Sequence, residues 1–260
     1  MGTIKSEQIR LWSMRETYLA LIPTSLLTLI FSVVNVGIIN ALLRNDHTSQ
    51  NLDPSLYDKP VSSILSEGYL GPCYQSAVIF IPISVAVLAS LAYKNGENEQ
   101  LLLLGQHSRL RKLGTIFSYA IWAGAACITS AIINYLSYLI LIDAGHRSDI
   151  SIVAEFIVIS RVYLFSVLLS LLALYVISFT KKLGMSIFLL LLLFFVQLSG
   201  IFQKFLPQIH NILPLIGGKS FAFWNNAEGP FTISSSLILL LTWILILTIL
   251  YIFTPTDRHK

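Results

Sequence analysis

Residues 231–253 read FTISSSLILLLTWILILTILYIF, and this stretch decides the class of fold. It contains no charged side chain, and as an α-helix it would extend about 34 Å. The hydrocarbon core of a bilayer is about 30 Å thick. The stretch therefore predicts a membrane-spanning helix rather than a segment of a soluble domain.

Five further stretches have the same character, although one of them contains Arg161. The six predicted spans are residues 19–43, 75–93, 115–142, 156–179, 183–203 and 231–253. Hydrophobic residues make up 55% of the chain and charged residues 12%, which is about half the charge of an ordinary soluble domain. We therefore expect an all-α integral membrane protein whose residues 1–260 form one six-span domain. Most cytosolic enzyme classes are excluded.

The distribution of lysine and arginine predicts how the spans are oriented, because basic connections stay in the cytoplasm. These residues are concentrated in the N-terminal tail, the connections after spans two and four, and the C-terminus. The connections on the other side are longer and carry fewer of them, and the role of the outer loop, residues 44–74, is open. Both termini are therefore expected in the cytoplasm.

Two segments outside the spans predict amphipathic helices. Before the first span, apolar residues such as Leu11 and Trp12 alternate with charged ones, which favours an interfacial helix over a simple extension of the span. Residues 94–114 read KNGENEQLLLLGQHSRLRKLG and favour a short helix on the cytoplasmic surface that docks on a partner. The alternative for residues 94–114 is a basic anchor on anionic lipid.

Residues 204–230, between the last two spans, are apolar yet broken by proline and glycine, including Pro207, Pro214 and Gly217. Such a segment is too apolar for a solvated loop and too interrupted for a spanning helix. We expect an extracellular re-entrant hairpin before the last helix. The alternative is an interfacial loop with an aromatic belt.

The sequence carries no motif for catalysis or for a metal. Gly218, Lys219 and Ser220 resemble the end of a phosphate-binding loop, but Leu213 stands where that motif needs a glycine. The histidines are dispersed, and the two cysteines have no ligand spacing. We expect no catalytic residue, no metal and no cofactor on this chain.

Polar side chains inside the spans are the candidates for a transport pathway, because such groups face the bundle interior or a wet cavity. They are Asn35, Asn40, Asn134 and Arg161, with Gln197 as a further polar residue. Arg161 lies close to the outer end of its span, so it has an alternative interpretation. It would then reach the headgroups or pair with Glu155, just outside the predicted span.

The chain resembles the permease subunits of type-2 ABC transporters along its whole length. Ser6-Glu7 and Ser13-Met14-Arg15 are similar to the opening of the family's interfacial helix. Asn95-Gly96, Leu101 to Leu104, Ser108-Arg109 and Lys112 are similar to its coupling helix. Leu206-Pro207, Leu213-Pro214 and Gly217 are similar to its re-entrant hairpin. The family's acidic residue before the coupling-helix glycine is missing here, as is the proline before the Ser-Arg pair.

The resemblance implies half of a dimeric exporter in a bacterial plasma membrane. Its partners would be a second permease chain, identical or paralogous, and a cytoplasmic ABC ATPase dimer that binds ATP and Mg²⁺. The expected docking residues are Asn95, Gly96, Leu101, Leu102, Leu103, Leu104 and Arg109. The expected substrate is hydrophobic or amphipathic: an antimicrobial peptide, a drug or a lipid-like molecule. An ion-coupled secondary transporter and a non-transporting scaffold subunit are the alternatives, and a nucleic-acid partner is not expected.

Overall fold

The computed structural model describes residues 2–44, 60–94, 108–222 and 231–254, and this part of the chain is built from α-helices. The helices, numbered along the chain, are α1 (Gly2–Ser13), α2 (Arg15–Leu19), α3 (Leu21–Leu43), α4 (Val61–Lys94), α5 (Ser108–Leu141), α6 (Ile152–Thr180), α7 (Leu183–Leu198), α8 (Ile201–Phe205), α9 (Pro207–Ile212), α10 (Pro214–Ala222) and α11 (Ile233–Phe253). A short 3₁₀ helix, Ala144–Asp149, joins α5 to α6, and the described residues contain no strand.

Six helical stretches are long and apolar enough to cross a membrane. They are Arg15–Leu43, Val61–Lys94, Arg109–Leu141, Ile152–Thr180, Leu183–Phe205 and Ile233–Phe253. The prediction of an all-α chain with six candidate spans is confirmed.

The bounds of three spans differ from the prediction, because a helix continues past the charged residues that end an apolar run. α4 begins at Val61, so the second half of the expected outer loop is helical. α5 begins at Ser108 and takes in the basic residues that were expected in a connection. α6 begins at Ile152, with Ser151 as its N-cap, and therefore contains Glu155.

α6 is the central helix of the bundle and the most buried of the six candidate spans. It packs against α4, α5, α7, α10 and α11, while α3 lies on the outer side of α4 and α5. Because α6 is surrounded, apolar residues occupy every side of its middle, with the buried Ser166 and Ser170 among them. The lipid-facing candidates are α3, α7 and α11, which keep large apolar side chains exposed.

The N-terminal helix is present and packs against α5. Leu11 is fully buried at this contact, and Glu7 is only 3% exposed. Ile9 points outward. The chain bends at Met14, which has an extended backbone, and continues through α2 into α3. Part of the charged face of α1 therefore lies against the protein.

The segment after α7 is broken into three short helices, as its prolines and glycines suggest. Gly200 ends α7 with a backbone φ of +71°, which a glycine adopts without strain, and Pro207 and Pro214 open α9 and α10. The Oε1 of Gln197 accepts a hydrogen bond from the backbone N–H of Leu215 (3.0 Å), which folds the segment back onto α7. α10 then packs against α6 and α11.

Candidate functional site: a buried polar network and a basic end

α3 presents a stripe of small polar side chains to α4 and α5. Thr24, Thr28 and Ser32 repeat every four residues, so they share one face of the helix, and all are buried. The hydroxyl of Thr28 lies 2.7 Å from the hydroxyl of Ser76 on α4 and 3.1 Å from that of Ser130 on α5. These contacts join three helices through hydroxyl groups rather than through apolar packing alone.

Asn134 on α5 is the centre of the network, and none of its surface is exposed. Its Oδ1 accepts a hydrogen bond from Ser32 of α3 at 2.7 Å. Its Nδ2 lies 3.2 Å from the backbone carbonyl of Tyr69 on α4. The same nitrogen lies 3.2 Å from each carboxylate oxygen of Glu155 on α6. One amide therefore connects four helices.

Glu155 lies inside the bundle and is only 4% exposed. Besides Asn134, its carboxylate contacts the thiol of Cys73, with Sγ 3.8 Å from Oε1. The position of Glu155 along the bundle follows from its neighbours. Its partner Asn134 is bonded to Ser32, the central residue of α3, which lies about 16 Å from either end of that helix. The carboxylate therefore lies inside the bundle, although Glu155 belongs to the first turn of α6.

Asn35 and Asn40 extend the network toward the end of α3. Asn35 donates hydrogen bonds to the carbonyl of Gly68 (2.7 Å) and to the hydroxyl of Tyr138 (2.8 Å). Asn40 donates to the carbonyl of Leu141 (2.9 Å) and accepts from the backbone N–H of Asp143 (3.0 Å). The structure thus brings three of the four pathway candidates, Asn35, Asn40 and Asn134, onto the contact between α3 and its neighbours.

An ion pair closes this end of the bundle. Arg44 Nε donates to Asp143 Oδ2 at 2.7 Å, and Nη2 lies 2.5 Å from Oδ1, a bidentate arrangement. The hydrogen bond from Arg44 lowers the pKa of Asp143. Because both side chains are accessible to water, the pair orients the end of α3 more than it stabilises the fold.

Arg161, the fourth pathway candidate, stands apart from this network. It is half-buried, and Glu155 contacts Asn134 and Cys73 instead of Arg161. The suggested Glu155–Arg161 pair is wrong for a geometric reason, since six residues along a helix place two side chains on different faces.

The opposite end of the bundle is rich in basic residues. Glu7 of α1 binds Arg10 of the same helix (2.9 Å to Nη2) and lies 3.5 Å from Nε of Arg111 on α5. The ammonium of Lys112 donates to the carbonyl oxygens of Ile252 (3.2 Å) and Thr254 at the end of α11. These contacts hold the first helix, the beginning of α5 and the end of α11 together.

A small cavity of about 30 Å³ lies at this basic end, enough for one or two water molecules. Its walls come from α1, α4, α5, α6 and α11 and include Arg10, Tyr93, Arg111, Lys112 and Tyr251. The end of α4 and the beginning of α5 both reach this cavity.

The expected docking residues Asn95, Gly96 and Leu101 to Leu104 lie outside the described residues. Arg109 is described and exposed, and its guanidinium lies 5.0 Å above the ring of Phe253. That stacking ties the beginning of α5 to the last turn of α11.

The predicted hairpin residues lie in the broken segment, and two of the three are packed against the bundle. Pro214 and Gly217 of α10 are buried, whereas Pro207 is exposed. Gly217 and its neighbour Gly218 allow close approach: a Cβ at Gly217 would be 2.6 Å from Leu239 of α11, and one at Gly218 would overlap the ring of Phe165 on α6. Both glycines are therefore explained by packing rather than by phosphate binding.

The sequence prediction missed two buried acids, Glu7 and Glu155. A signal for Glu155 was present, because Ser151 is a good N-cap and would have started the helix four residues earlier. The four-residue spacing of Thr24, Thr28 and Ser32 was also readable. Nothing in the sequence indicated that Glu7 would bridge α1 to α5.

No protein-family model matches this chain, and no curated protein is similar enough to count as a match. The described residues hold no group of three or more histidine, cysteine, aspartate or glutamate side chains that could bind a metal ion.

Proposed function

We propose that this chain is the membrane-spanning permease subunit of an ATP-driven ABC exporter. The observation that carries the proposal is the basic end of the bundle, where α1, the end of α4, the beginning of α5 and the end of α11 meet. An exporter of this kind needs one face on which both termini and a coupling segment lie together, so that a cytoplasmic ATPase can engage them. α4 ends and α5 begins at this face.

In this proposal the ATPase subunits bind and hydrolyse ATP with Mg²⁺, and residues 95–109 transmit their closure to α4 and α5. A nucleotide-driven switch requires differential contacts in two states, which a docked partner supplies. The polar network is placed to respond, because α4 and α5 both contribute to it. The substrate class is hydrophobic or amphipathic: an antimicrobial peptide, a drug or a lipid-like molecule.

The exporter would contain two permease chains, and the apolar groove between α3 and α5 is a surface for the second. The groove has a volume of about 580 Å³ and is lined almost entirely by apolar side chains, among them Leu26, Leu29, Leu136 and Ile140. The bilayer is the other occupant of such a surface. We propose a bacterial plasma membrane with both termini in the cytoplasm and the broken segment α8–α10 as an outer re-entrant hairpin.

An ion-coupled secondary transporter is the second candidate, and the buried carboxylate of Glu155 is the observation that favours it. Such a protein would work without an ATPase. The remaining alternative is a non-transporting scaffold subunit, in which Asn134 and Arg161 would be dispensable for function.

The test is purification of the chain from its native membranes in mild detergent, with mass spectrometry of the bound proteins and an ATPase assay. We expect a stoichiometric nucleotide-binding ATPase whose retention drops at least tenfold in the double variant Leu102→Asp/Leu103→Asp, since charge would replace the apolar anchors. Ile152→Asp/Val153→Asp is the matched control, because both residues are exposed at the start of α6, away from the basic end, and this variant should retain the ATPase. A chain that purifies without an ATPase would contradict the proposal and favour the second candidate.

A further inference from the structure

Glu155 is a buried carboxylate whose described contacts include no cation. It is 4% exposed, and its oxygens meet the amide of Asn134 at 3.2 Å and the thiol of Cys73 at 3.8 Å. Among the described residues, no lysine, arginine or histidine side chain lies within ion-pair distance of it. The two contacting groups are neutral donors and leave the negative charge uncompensated.

The groups that face Glu155 come from three neighbouring helices. α4 supplies the thiol of Cys73 and the phenol of Tyr69, and α5 supplies Asn134 and the phenol of Tyr138. α3 contributes only Ser32, through Asn134. None of these side chains carries a positive charge at any pH, so the described residues around Glu155 offer no counter-ion.

An ionised carboxylate inside a membrane protein is costly unless a cation neutralises it. A neutral oxygen that would suit a small hard cation lies near the group, because the carbonyl of Tyr69 contacts the same Asn134 nitrogen as the carboxylate. Because Glu155 is almost completely buried, the group favours a small cation over an organic one.

We propose that Glu155, with Asn134, Cys73 and Tyr69 around it, forms a binding site for a small monovalent cation, a proton or a sodium ion. The inference goes beyond the exporter proposal and does not depend on the ATPase. Because Asn134 bonds to both carboxylate oxygens and to α3 and α4, occupancy of the site is coupled to the packing of four helices. The site is therefore placed to link cation binding to a change in the bundle.

The test is labelling of the full chain in proteoliposomes with dicyclohexylcarbodiimide, a lipophilic reagent for protonated carboxyl groups in apolar surroundings. Peptide mass spectrometry measures the labelled fraction of Glu155 across a pH series, in sodium or in an impermeant organic cation. At a sodium concentration of ten times Kd about nine-tenths of the sites are filled, so labelling should fall about tenfold if sodium is the ligand. Labelling that follows pH and ignores sodium identifies the proton.

Asp143 is the matched control, because it is an acid accessible to water and paired with an arginine. It should remain unlabelled. The proposal is overturned if Glu155 is not labelled, if its labelling responds to neither pH nor sodium, or if Asp143 shows the same profile.

The variant Glu155→Gln supplies a second readout that does not depend on the reagent. Glutamine keeps an oxygen for Asn134 but cannot bind and release a cation. The wild-type unfolding temperature should shift with pH or with sodium, and the shift should be lost in the folded Glu155→Gln protein. An equal shift in both proteins would overturn the proposal.

Discussion

Replacing Asn134 with alanine should destabilise the bundle far more than the loss of an ordinary polar side chain. The substitution removes contacts to Ser32 on α3, to the carbonyl of Tyr69 on α4 and to the carboxylate of Glu155 on α6. Interhelical hydrogen bonds in membranes contribute about 0.6 kcal/mol each on average. A buried group left without its partner adds about 1–3 kcal/mol. The expected loss in the free energy of unfolding is therefore about 3–5 kcal/mol.

Reversible unfolding in mixed detergent micelles measures this loss, with the fluorescence of the buried Trp122 as one signal. Thr129→Ala is the control on the same helix, because the Thr129 hydroxyl bonds only to carbonyls of its own helix, and its effect should stay within about 0.5 kcal/mol. If Asn134→Ala changes stability no more than Thr129→Ala, the network does not hold the four helices together.

Three further predictions concern the two ends of the bundle and the broken segment. Gly218→Ala should cost about 1–3 kcal/mol in thermal or detergent unfolding, because its Cβ would overlap the aromatic ring it faces on α6, whereas Gly37→Ala, with open space around it, should be neutral. Glu7→Gln should weaken the bridge from α1 to α5 and increase amide hydrogen exchange in α1; unchanged exchange would contradict the role of the bridge. The lowered pKa of Asp143 stabilises the fold above its unfolded-state pKa, and this contribution disappears as pH falls through the folded value. Amide hydrogen exchange at the end of α3 next to Asp143 should show that loss, and Asp143→Asn should abolish it.

The class of fold was predictable because it depends on the length of the apolar stretches, and the sequence contains six stretches long enough to span a membrane. The span 231–253 was placed within two residues of α11, since charge-free helices begin and end at turn residues such as Thr232. The second span was placed poorly, because α4 continues through the charged Glu67 and through Gly71 and Pro72, residue types that break most helices. Helix continuity depends on tertiary packing of residues such as Leu65 and Tyr69, which the local sequence does not reveal.

The polar network was only half predictable. The rule that polar groups in spans face the interior selected Asn35 and Asn134. It missed Glu155, which lies at the end of its own helix, because depth in a bundle is set by neighbouring helices as well as by position along one. The rule also selected Arg161, which contacts neither Asn134 nor Glu155, because the sequence alone does not give the rotation of a helix about its axis.

The basic end gives the most direct test of the exporter proposal. A photo-crosslinking amino acid replaces Arg109 at this end in one protein and Arg44 at the opposite end in another, and each is expressed in its native cells. After irradiation, proteins joined to the chain are identified by mass spectrometry. The proposal predicts a nucleotide-binding ATPase joined at position 109 and absent at position 44. An ATPase joined equally from both positions, or from neither, would contradict it.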